Sequence, residues 1–215
     1  MAYVRYVENI LDDYLQRLAD GDGFHTYEVG EYYPHMLGLC PRKGYYDYVH
    51  GPRLTEKGVR FVNLGTALHD FILRGFEERG YRVEVPFEYY VRDDVKIRGR
   101  VDGVAVDHIL ELKTVFRFPE EPYPHHVAQV SVYMRAMGKD TAYILYVSRN
   151  DLSRRVFEVP FDRDAYNRAV NTAVEIHEAL LSGEPPAPAP VAEWECRNCP
   201  YRELCASQSA SGRGD

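Results

Sequence analysis

The sequence has 215 residues and a mass of 24.8 kDa, a length that fits one folded domain with a small appendage rather than two full domains. Hydrophobic residues make up 45% and charged residues 27%, which excludes a disordered or fibrous chain. The formal net charge of -7 excludes a generally basic nucleic-acid coat protein but is compatible with a local basic groove. No stretch reaches the roughly 18 uncharged apolar residues of a membrane-spanning helix, so we expect a cytoplasmic protein with no signal peptide and no membrane anchor.

The first half of the chain changes from helical to strand patterns. Apolar residues at helical spacing predict an opening helix that ends near Gly21 and a second helix from about Val59 to Gly80. Residues 81–106 are rich in β-branched and aromatic side chains and are interrupted at residues 92–94, a pattern that predicts a β-hairpin. A third strand is predicted over residues 109–113.

The second half alternates between the two types of element. The patterns predict a helix over residues 123–137, a buried strand over 141–148, an edge strand over 154–159 and a helix over 162–181. The order of helices, three strands, helix, two strands and helix predicts an α/β fold with a mixed central sheet flanked by helices.

Four cysteines have an informative distribution. Cys40 lies far upstream, whereas Cys196, Cys199 and Cys205 follow the proline-rich linker 185–190. Two disulfides are disfavoured because intracellular thiols stay reduced, so a soft-metal site is the stronger interpretation, with zinc and an iron-sulfur cluster both open. The linker is expected to be extended and to carry the last cysteines back to Cys40, so that the site joins the two ends of the chain.

Two acids and a lysine mark a second site. Glu111 and Lys113 are two residues apart on a predicted strand, so both side chains point to one face. Asp102 on the preceding strand would bring a second carboxylate beside Glu111, and two carboxylates bind a hard cation such as Mg²⁺ or Mn²⁺. An exposed Glu-Lys surface pair is the alternative interpretation.

The spacing of these residues resembles a known motif. Asp102, eight intervening residues, and Glu111-x-Lys113 resemble the core motif of the PD-(D/E)XK nuclease superfamily. The segment Gly65-Thr66-Ala67-Leu68-His69 resembles the helix-borne histidine motif of the RecB branch of that superfamily.

A third motif and the cysteines indicate one particular family within the RecB branch. Gln129-x-x-x-Tyr133 resembles the Q-x-x-x-Y motif of the RecB branch, and its two residues share one helix face. With one upstream cysteine and the C-terminal C-x-x-C-x5-C pattern, the chain resembles the CRISPR-associated iron-sulfur exonuclease family from about Leu39 to Cys205.

The resemblance implies a divalent-metal-dependent deoxyribonuclease that uses Mn²⁺ or Mg²⁺. Three side chains and one backbone group would hold the metal: His69, Asp102, Glu111 and the main-chain carbonyl of Leu112. Lys113 would orient the attacking water, and Gln129 and Tyr133 would complete the catalytic set.

The sequence patterns and the resemblance together divide the chain into four segments. Residues 1–58 would form an N-terminal helical region with the first cluster cysteine, and residues 59–183 a RecB-like nuclease core. Residues 184–206 would be the linker and cluster-binding segment, and residues 207–215 a disordered tail. The four cysteines would hold a 4Fe-4S or a 2Fe-2S cluster.

The implied function is exonucleolytic degradation of single-stranded DNA or DNA overhangs, with 5' to 3' polarity favoured, to process DNA ends for CRISPR spacer acquisition. The implied partners are the spacer-acquisition integrase proteins. The alternatives are a DNA-end-binding subunit of the acquisition complex with little activity of its own, or a general DNA-repair exonuclease. No phosphate-cradling glycine loop is present, so the sequence encodes no ATP-driven motor.

Basic and aromatic residues lie close together in the segment after Cys40. Arg42, Lys43, Tyr45 and Tyr46 offer phosphate contacts and base stacking to a single strand. A solvated loop with aromatic packing is the alternative.

Overall fold

The computed structural model describes residues 2–21, 27–54, 56–187, 189 and 192–211. These residues contain a short 3-10 helix at Pro34–Met36 and seven α-helices: α1 (Ala2–Gly21), α2 (Pro41–His50), α3 (Glu56–Glu77), α4 (Pro124–Met137), α5 (Arg163–Ser182), α6 (Glu193–Asn198) and α7 (Arg202–Ser211). They also contain six strands: β1 (Glu31–Tyr32), β2 (Arg82–Arg92), β3 (Val95–Val104), β4 (Ile109–Val115), β5 (Thr141–Ser148) and β6 (Arg154–Pro160).

The six strands form one mixed sheet. Strands β1, β3, β4, β5 and β6 follow one another across the sheet, and β2 pairs with β3 outside this order. The β2–β3, β3–β4 and β5–β6 pairs are antiparallel, whereas β1–β3 and β4–β5 are parallel. The predicted α/β fold with a mixed central sheet is therefore confirmed.

Strand β3 has one edge that is only partly paired. Strand β2 pairs with one edge of β3 along its length, and both β1 and β4 pair with the opposite edge. Strand β1 pairs with Lys96 and Ile97, and β4 pairs only with Gly103 and Val104. Among the described residues, no strand pairs with residues 98–102 on this edge, which leaves a gap inside the sheet.

Helices cover both faces of the sheet. Leu73 of α3 packs against Leu110, Leu112, Leu145 and Val147 on one face. The larger core on the other face joins the sheet to α4 and α5 through buried residues that include Val130, Met134, Ile144 and Ile176. The β4 residues alternate between these two faces, as the two-residue period of a strand requires.

Three helical segments differ from the sequence prediction. Helix α2 occupies the stretch interpreted as a possible loop after Cys40, and the short helix α6 carries Cys196. Helix α7 runs to Ser211, so residues 207–211 are helical where a disordered tail was predicted. Residues 212–215 lie outside the described residues, as do residues 188, 190 and 191 in and beside the predicted linker.

Among the described residues, no helix combines the length and the apolar character needed to cross a membrane.

Candidate active site

The site lies where β3 and β4 separate. Beyond the pairs Gly103–Leu110 and Val104–Ile109, the Leu112 backbone N–H donates to Asp102 Oδ2 at 2.7 Å. A side-chain carboxylate therefore takes the place of the next strand-to-strand hydrogen bond. This replacement fixes Asp102 in the fork between the two strands.

Helix α3 brings a histidine to the same carboxylate. His69 Nε2 lies 3.0 Å from Asp102 Oδ2, and His69 Nδ1 lies 3.6 Å from Glu84 Oε1. Burial favours the neutral ring, but the hydrogen bond with Asp102 and the charges of Glu84 and Glu111 outweigh burial and raise the pKa of His69. The imidazole therefore faces carboxylates through both nitrogens.

Glu111 is 1% exposed and lies on the face of β4 opposite to Leu110 and Leu112. Its Oε1 is 2.6 Å from Lys113 Nζ, whereas its Oε2 has no hydrogen-bond partner among the described residues. Burial, followed by the negative charge of Asp102, raises the pKa of Glu111 to about 7. An unpartnered buried carboxylate oxygen costs free energy and has the chemistry of a metal ligand.

Two residues of α4 hold the lysine. Lys113 Nζ donates to Gln129 Oε1 at 2.9 Å, and Gln129 Nε2 donates to the Tyr133 hydroxyl oxygen at 2.9 Å. Burial alone would lower the pKa of Lys113, but the charges of Glu111 and Asp102 outweigh burial and raise it. Lys113 is therefore a fixed ammonium group in the site.

The structure thus brings six of the candidate residues together: His69, Asp102, Glu111, Lys113, Gln129 and Tyr133. Leu112 contributes its backbone to the same fork and lines the same cleft as His69. The catalytic roles of these residues stay predictions.

One acid of the site was missed by the sequence analysis. Glu84 lies between the pairs Val83–Gly103 and Val85–Val101, directly opposite Asp102, and adopts a left-handed conformation with φ of 51°. Its Oε2 is 3.0 Å from Arg100 Nε. Among the described residues, His69, Glu84 and Asp102 are the one group of three metal-type ligands whose donor atoms lie within 4.8 Å of one another. Two carboxylates directly opposite on paired strands repel each other, and a cation relieves this repulsion.

Two clefts meet at the fork. A cleft of about 730 Å³ is lined by His69, Lys113 and Arg149, and a cleft of about 900 Å³ is lined by Asp102, Gln129 and Tyr133. Glu84 and Arg100 line both clefts. An extended polymer can therefore approach the fork from either side.

The four cysteines line a separate cavity of about 190 Å³. None of them forms a disulfide. Arg42 Nη1 donates to Cys205 Sγ at 3.5 Å, and burial raises the pKa of the Cys40 and Cys199 thiols. Cys40 and the three C-terminal cysteines, which are far apart in sequence, therefore lie around the same cavity.

Helix α2 holds the C-terminal segment through buried polar contacts. The Tyr201 hydroxyl donates to Asp47 Oδ1 at 2.9 Å, and Tyr201 is 2% exposed. Arg42 Nε donates to the Pro186 carbonyl oxygen at 2.6 Å. Helix α2 and the C-terminal segment are thus joined by side chains as well as by the cysteine cavity.

These contacts correct the prediction of a DNA platform after Cys40. Arg42, Tyr45 and Tyr46 are buried, and Lys43 lies 2.5 Å from Asp47. The tyrosines pack against the cysteine segment because α2 turns them inward, so they cannot stack on bases.

The sequence profile of the PD-(D/E)XK nuclease superfamily matches residues 72–206, which is more than half of the chain. The chain belongs to the PD-(D/E)XK nuclease superfamily. Enzymes of this superfamily use divalent metals. The matched segment of this nuclease includes Asp102, Glu111 and Lys113 in the fork between β3 and β4.

Solved structures share the fold of this nuclease. The crystal structure of SSO0001 is 21% identical with a TM-score of 0.66, over 93% of this chain and 96% of that chain. An alkaline exonuclease, LHK-Exo, from Laribacter hongkongensis is 12% identical with a TM-score of 0.51, over 85% of this chain and 95% of that chain. The same exonuclease in complex with dAMP matches at 12% identity and a TM-score of 0.51, over 72% of this chain and 91% of that chain. No curated protein matches the sequence.

Proposed function

We propose that this nuclease is a divalent-metal-dependent exonuclease that degrades single-stranded DNA, with 5' to 3' polarity. The main support for the proposal is the set of groups at the fork between β3 and β4. Asp102, His69 and the Glu111 oxygen that has no hydrogen-bond partner within the described residues lie there together with the Lys113 ammonium. The fork opens into two clefts. A hydrolase that acts on a polyanion needs this combination of metal ligands, fixed positive charge and an open path for the polymer.

The donor set fits Mn²⁺ or Mg²⁺. Oxygen donors of Asp102 and Glu111 suit either hard cation, and the His69 imidazole favours Mn²⁺. We assign the fourth ligand to the Leu112 main-chain carbonyl. The cation would neutralise charge on the scissile phosphate and lower the pKa of a water molecule.

The side chains around the metal ligands have distinct roles. Lys113 orients the attacking water and stabilises negative charge that develops on the phosphate. Gln129 positions Lys113 through its side-chain carbonyl oxygen, and Tyr133 positions Gln129 in turn. This chain of hydrogen bonds keeps the flexible lysine in one place before substrate binds.

The exonuclease activity and the strand preference have separate support. The fold similarity to an alkaline exonuclease supports end-directed cleavage. The sequence contains no ATP-driven motor, which supports a single-stranded substrate. The 5' to 3' polarity follows from the resemblance to the CRISPR-associated exonucleases alone.

We also propose that the cysteine cavity holds an iron-sulfur cluster, 4Fe-4S or 2Fe-2S. Four thiols line it, and Arg42 supplies a hydrogen bond to one sulfur. Four thiolates can also hold a zinc ion. The preference for an iron-sulfur cluster follows from the resemblance to the CRISPR-associated iron-sulfur exonuclease family. An ultraviolet-visible spectrum of anaerobically purified protein tests this, since a colourless protein would refute the cluster.

In the cell, the proposed role is to trim DNA overhangs before integration, in company with the spacer-acquisition integrase. This role follows from the resemblance of the chain to the CRISPR-associated family. Co-purification with the integrase tests it, and release of the nuclease at low salt would count against a stable complex.

Oligonucleotides labelled at the 5' or the 3' end test the activity. We expect labelled mononucleotides to appear first from the 5' label in Mn²⁺ and no cleavage in EDTA. Asp102→Ala should abolish cleavage, whereas Asp107→Ala, at an exposed residue beyond the end of β3, should not change it. First release from the 3' label would overturn the polarity, and equal activity in EDTA would overturn the metal mechanism. Metal-independent DNA-end binding without cleavage would favour the end-binding subunit.

A further inference from the structure

An arginine lies in the same cleft as the proposed catalytic residues. Arg149 directly follows β5, and its backbone N–H donates to the Val115 carbonyl oxygen at 2.8 Å. Its Nε donates to Thr114 Oγ1 at 3.0 Å, so the side chain is fixed beside the end of β4. Arg149, Lys113 and His69 line one cleft of about 730 Å³.

This arginine has no anionic partner in the described part of the chain. No carboxylate of a described residue lies within 4.0 Å of the guanidinium, whereas Arg100 in the same cleft is paired with Glu84. Burial lowers the pKa of Arg149, and no neighbouring acid offsets this effect. A partly buried, uncompensated cation is costly, and an anion that enters the cleft would relieve this cost.

Two phenyl rings flank the guanidinium. Its carbon lies 5.7 Å from the ring centroid of Phe61 and 5.4 Å from that of Phe116. The two ring centroids are 5.2 Å apart, and the side chains are 37% and 47% exposed. Exposed aromatic rings beside a cation are the arrangement on which nucleic-acid bases stack.

Helix α3 connects this group to the metal ligands. Phe61, Gly65 and His69 recur every four residues and so lie along one face of the helix. A Cβ atom at Gly65 would lie 3.1 Å from Arg149 Nη2 and 3.5 Å from Thr114 Oγ1, so the glycine leaves room for the guanidinium. The eight residue steps from Phe61 to His69 span about 12 Å at a rise of 1.5 Å per residue, a short distance along an extended DNA strand.

We propose that Phe61, Phe116 and Arg149 form a nucleotide-binding subsite next to the scissile phosphate. The Arg149 guanidinium binds a backbone phosphate of a single DNA strand, and the phenyl rings stack on the adjoining base. The subsite tolerates any base, because every base has a π-face and the phenyl rings that stack on it form no base-specific hydrogen bonds. This inference deepens the proposed function and rests on it.

Salt dependence of DNA affinity tests the phosphate contact. The Kd of a fluorescent 12-residue oligo-dT is measured by anisotropy in EDTA, where cleavage is stopped, at several salt concentrations. We expect Arg149→Gln to weaken binding by about tenfold and to reduce the slope of log K against log salt by about 0.7, the value for one phosphate of a single strand.

A matched control exists on the neighbouring strand. Arg155 also lies over a phenyl ring, 5.6 Å from the centroid of Phe118, and donates to the Pro119 carbonyl oxygen, but it does not line the cleft. Arg155→Gln removes the same charge and should leave the slope unchanged. Equal slopes for the two variants would overturn the phosphate contact.

Oligonucleotides with one abasic site test the stacking contact. In the wild-type protein, we expect the loss of one particular base to weaken binding by about tenfold. In Phe61→Leu, which keeps an apolar side chain of similar size, this position-specific penalty should disappear. An unchanged penalty would overturn the stacking role, provided that the thermal midpoint shows Phe61→Leu to be folded.

The two hypotheses fail in different ways. A wild-type protein that neither binds nor cleaves DNA refutes the proposed function and the subsite together. A wild-type protein that cleaves DNA, with Arg149→Gln indistinguishable from Arg155→Gln, refutes the subsite alone.

Discussion

The buried carboxylate Glu111 makes the stability of the metal-free protein depend on pH in a specific direction. The raised pKa, about 7 against an ordinary 4.5, means that the folded protein keeps a proton that the unfolded chain releases between these pH values. Stability therefore falls as the pH rises from about 4.5 to 7. At about 1.36 kcal/mol per pKa unit, ionisation of Glu111 costs the fold on the order of 3 kcal/mol at pH 8.

Glu111→Gln removes this titration and keeps the shape of the side chain. The stability of the variant relative to wild type should rise by about 2.5 kcal/mol between pH 5 and pH 8. The unpaired amide of the variant costs about 1–3 kcal/mol of stability at every pH. This constant cost shifts the plot of the stability difference against pH up or down but does not change its slope. Urea unfolding followed by circular dichroism in EDTA at four pH values measures the difference.

The control and the metal response complete this experiment. Glu158→Gln, at an exposed position of β6, is the control for the loss of a carboxylate that is not buried, and the pH dependence of the Glu111→Gln difference is measured against it. At pH 8 and 100 times Kd, Mn²⁺ should stabilise wild type by about 2.7 kcal/mol and should stabilise Glu111→Gln much less. A Glu111→Gln difference that is flat within about 1 kcal/mol from pH 5 to 8 would refute this account of Glu111.

Three further variants separate chemistry from structure. Lys113→Ala should lose cleavage by at least about a hundredfold and keep most DNA affinity, because the lysine acts on the water and on developing charge; a collapse of affinity in the anisotropy assay would contradict this role. Glu84→Gln should weaken Mn²⁺ binding by about tenfold in calorimetry, as expected for an outer ligand. Glu88→Gln, at an exposed position four residues further along β2, should leave Mn²⁺ affinity unchanged. Equal affinities of the two variants would exclude Glu84 from the metal site. Cys199→Ala should lower iron content and the thermal midpoint together, and unchanged values of both would count against the cluster.

Local patterns in the sequence predicted most of the fold because apolar periodicity reports which face of an element is buried. The helix over residues 123–137 and the strand over residues 141–148 lie within one residue of the observed α4 and β5. Helix α2 was missed because its sequence, PRKGYYDYVH, has no simple apolar stripe. The buried side chains of that helix include Arg42, Tyr45 and Asp47, which form hydrogen bonds with partners far away in the sequence.

In the candidate site, too, residues that follow from local sequence spacing were predicted, whereas a residue whose position depends on the pairing of two strands was not. Strand alternation predicted that Glu111 and Lys113 share one face. Gln129 and Tyr133 were found through the resemblance to the Q-x-x-x-Y motif, and helical spacing added only that they share a helix face. Glu84 was not predictable, because the register of the β2–β3 hairpin shifts between Tyr90 and Arg92. This irregularity places Glu84 opposite Asp102, whereas an unshifted hairpin would place it opposite Gly103.

The gap beside residues 98–102 of β3 affects solubility as well as access to the site. An unpaired strand edge is normally a template for association with another chain. Here the edge is enclosed within the sheet, between β1 and β4, and the Pro34 ring lies close to it, 3.3 Å from where a Cβ of Gly99 would be. A proline ring offers no backbone N–H to an approaching strand. The same break in the sheet can therefore leave the candidate site open to the proposed DNA substrate without exposing an edge that promotes aggregation.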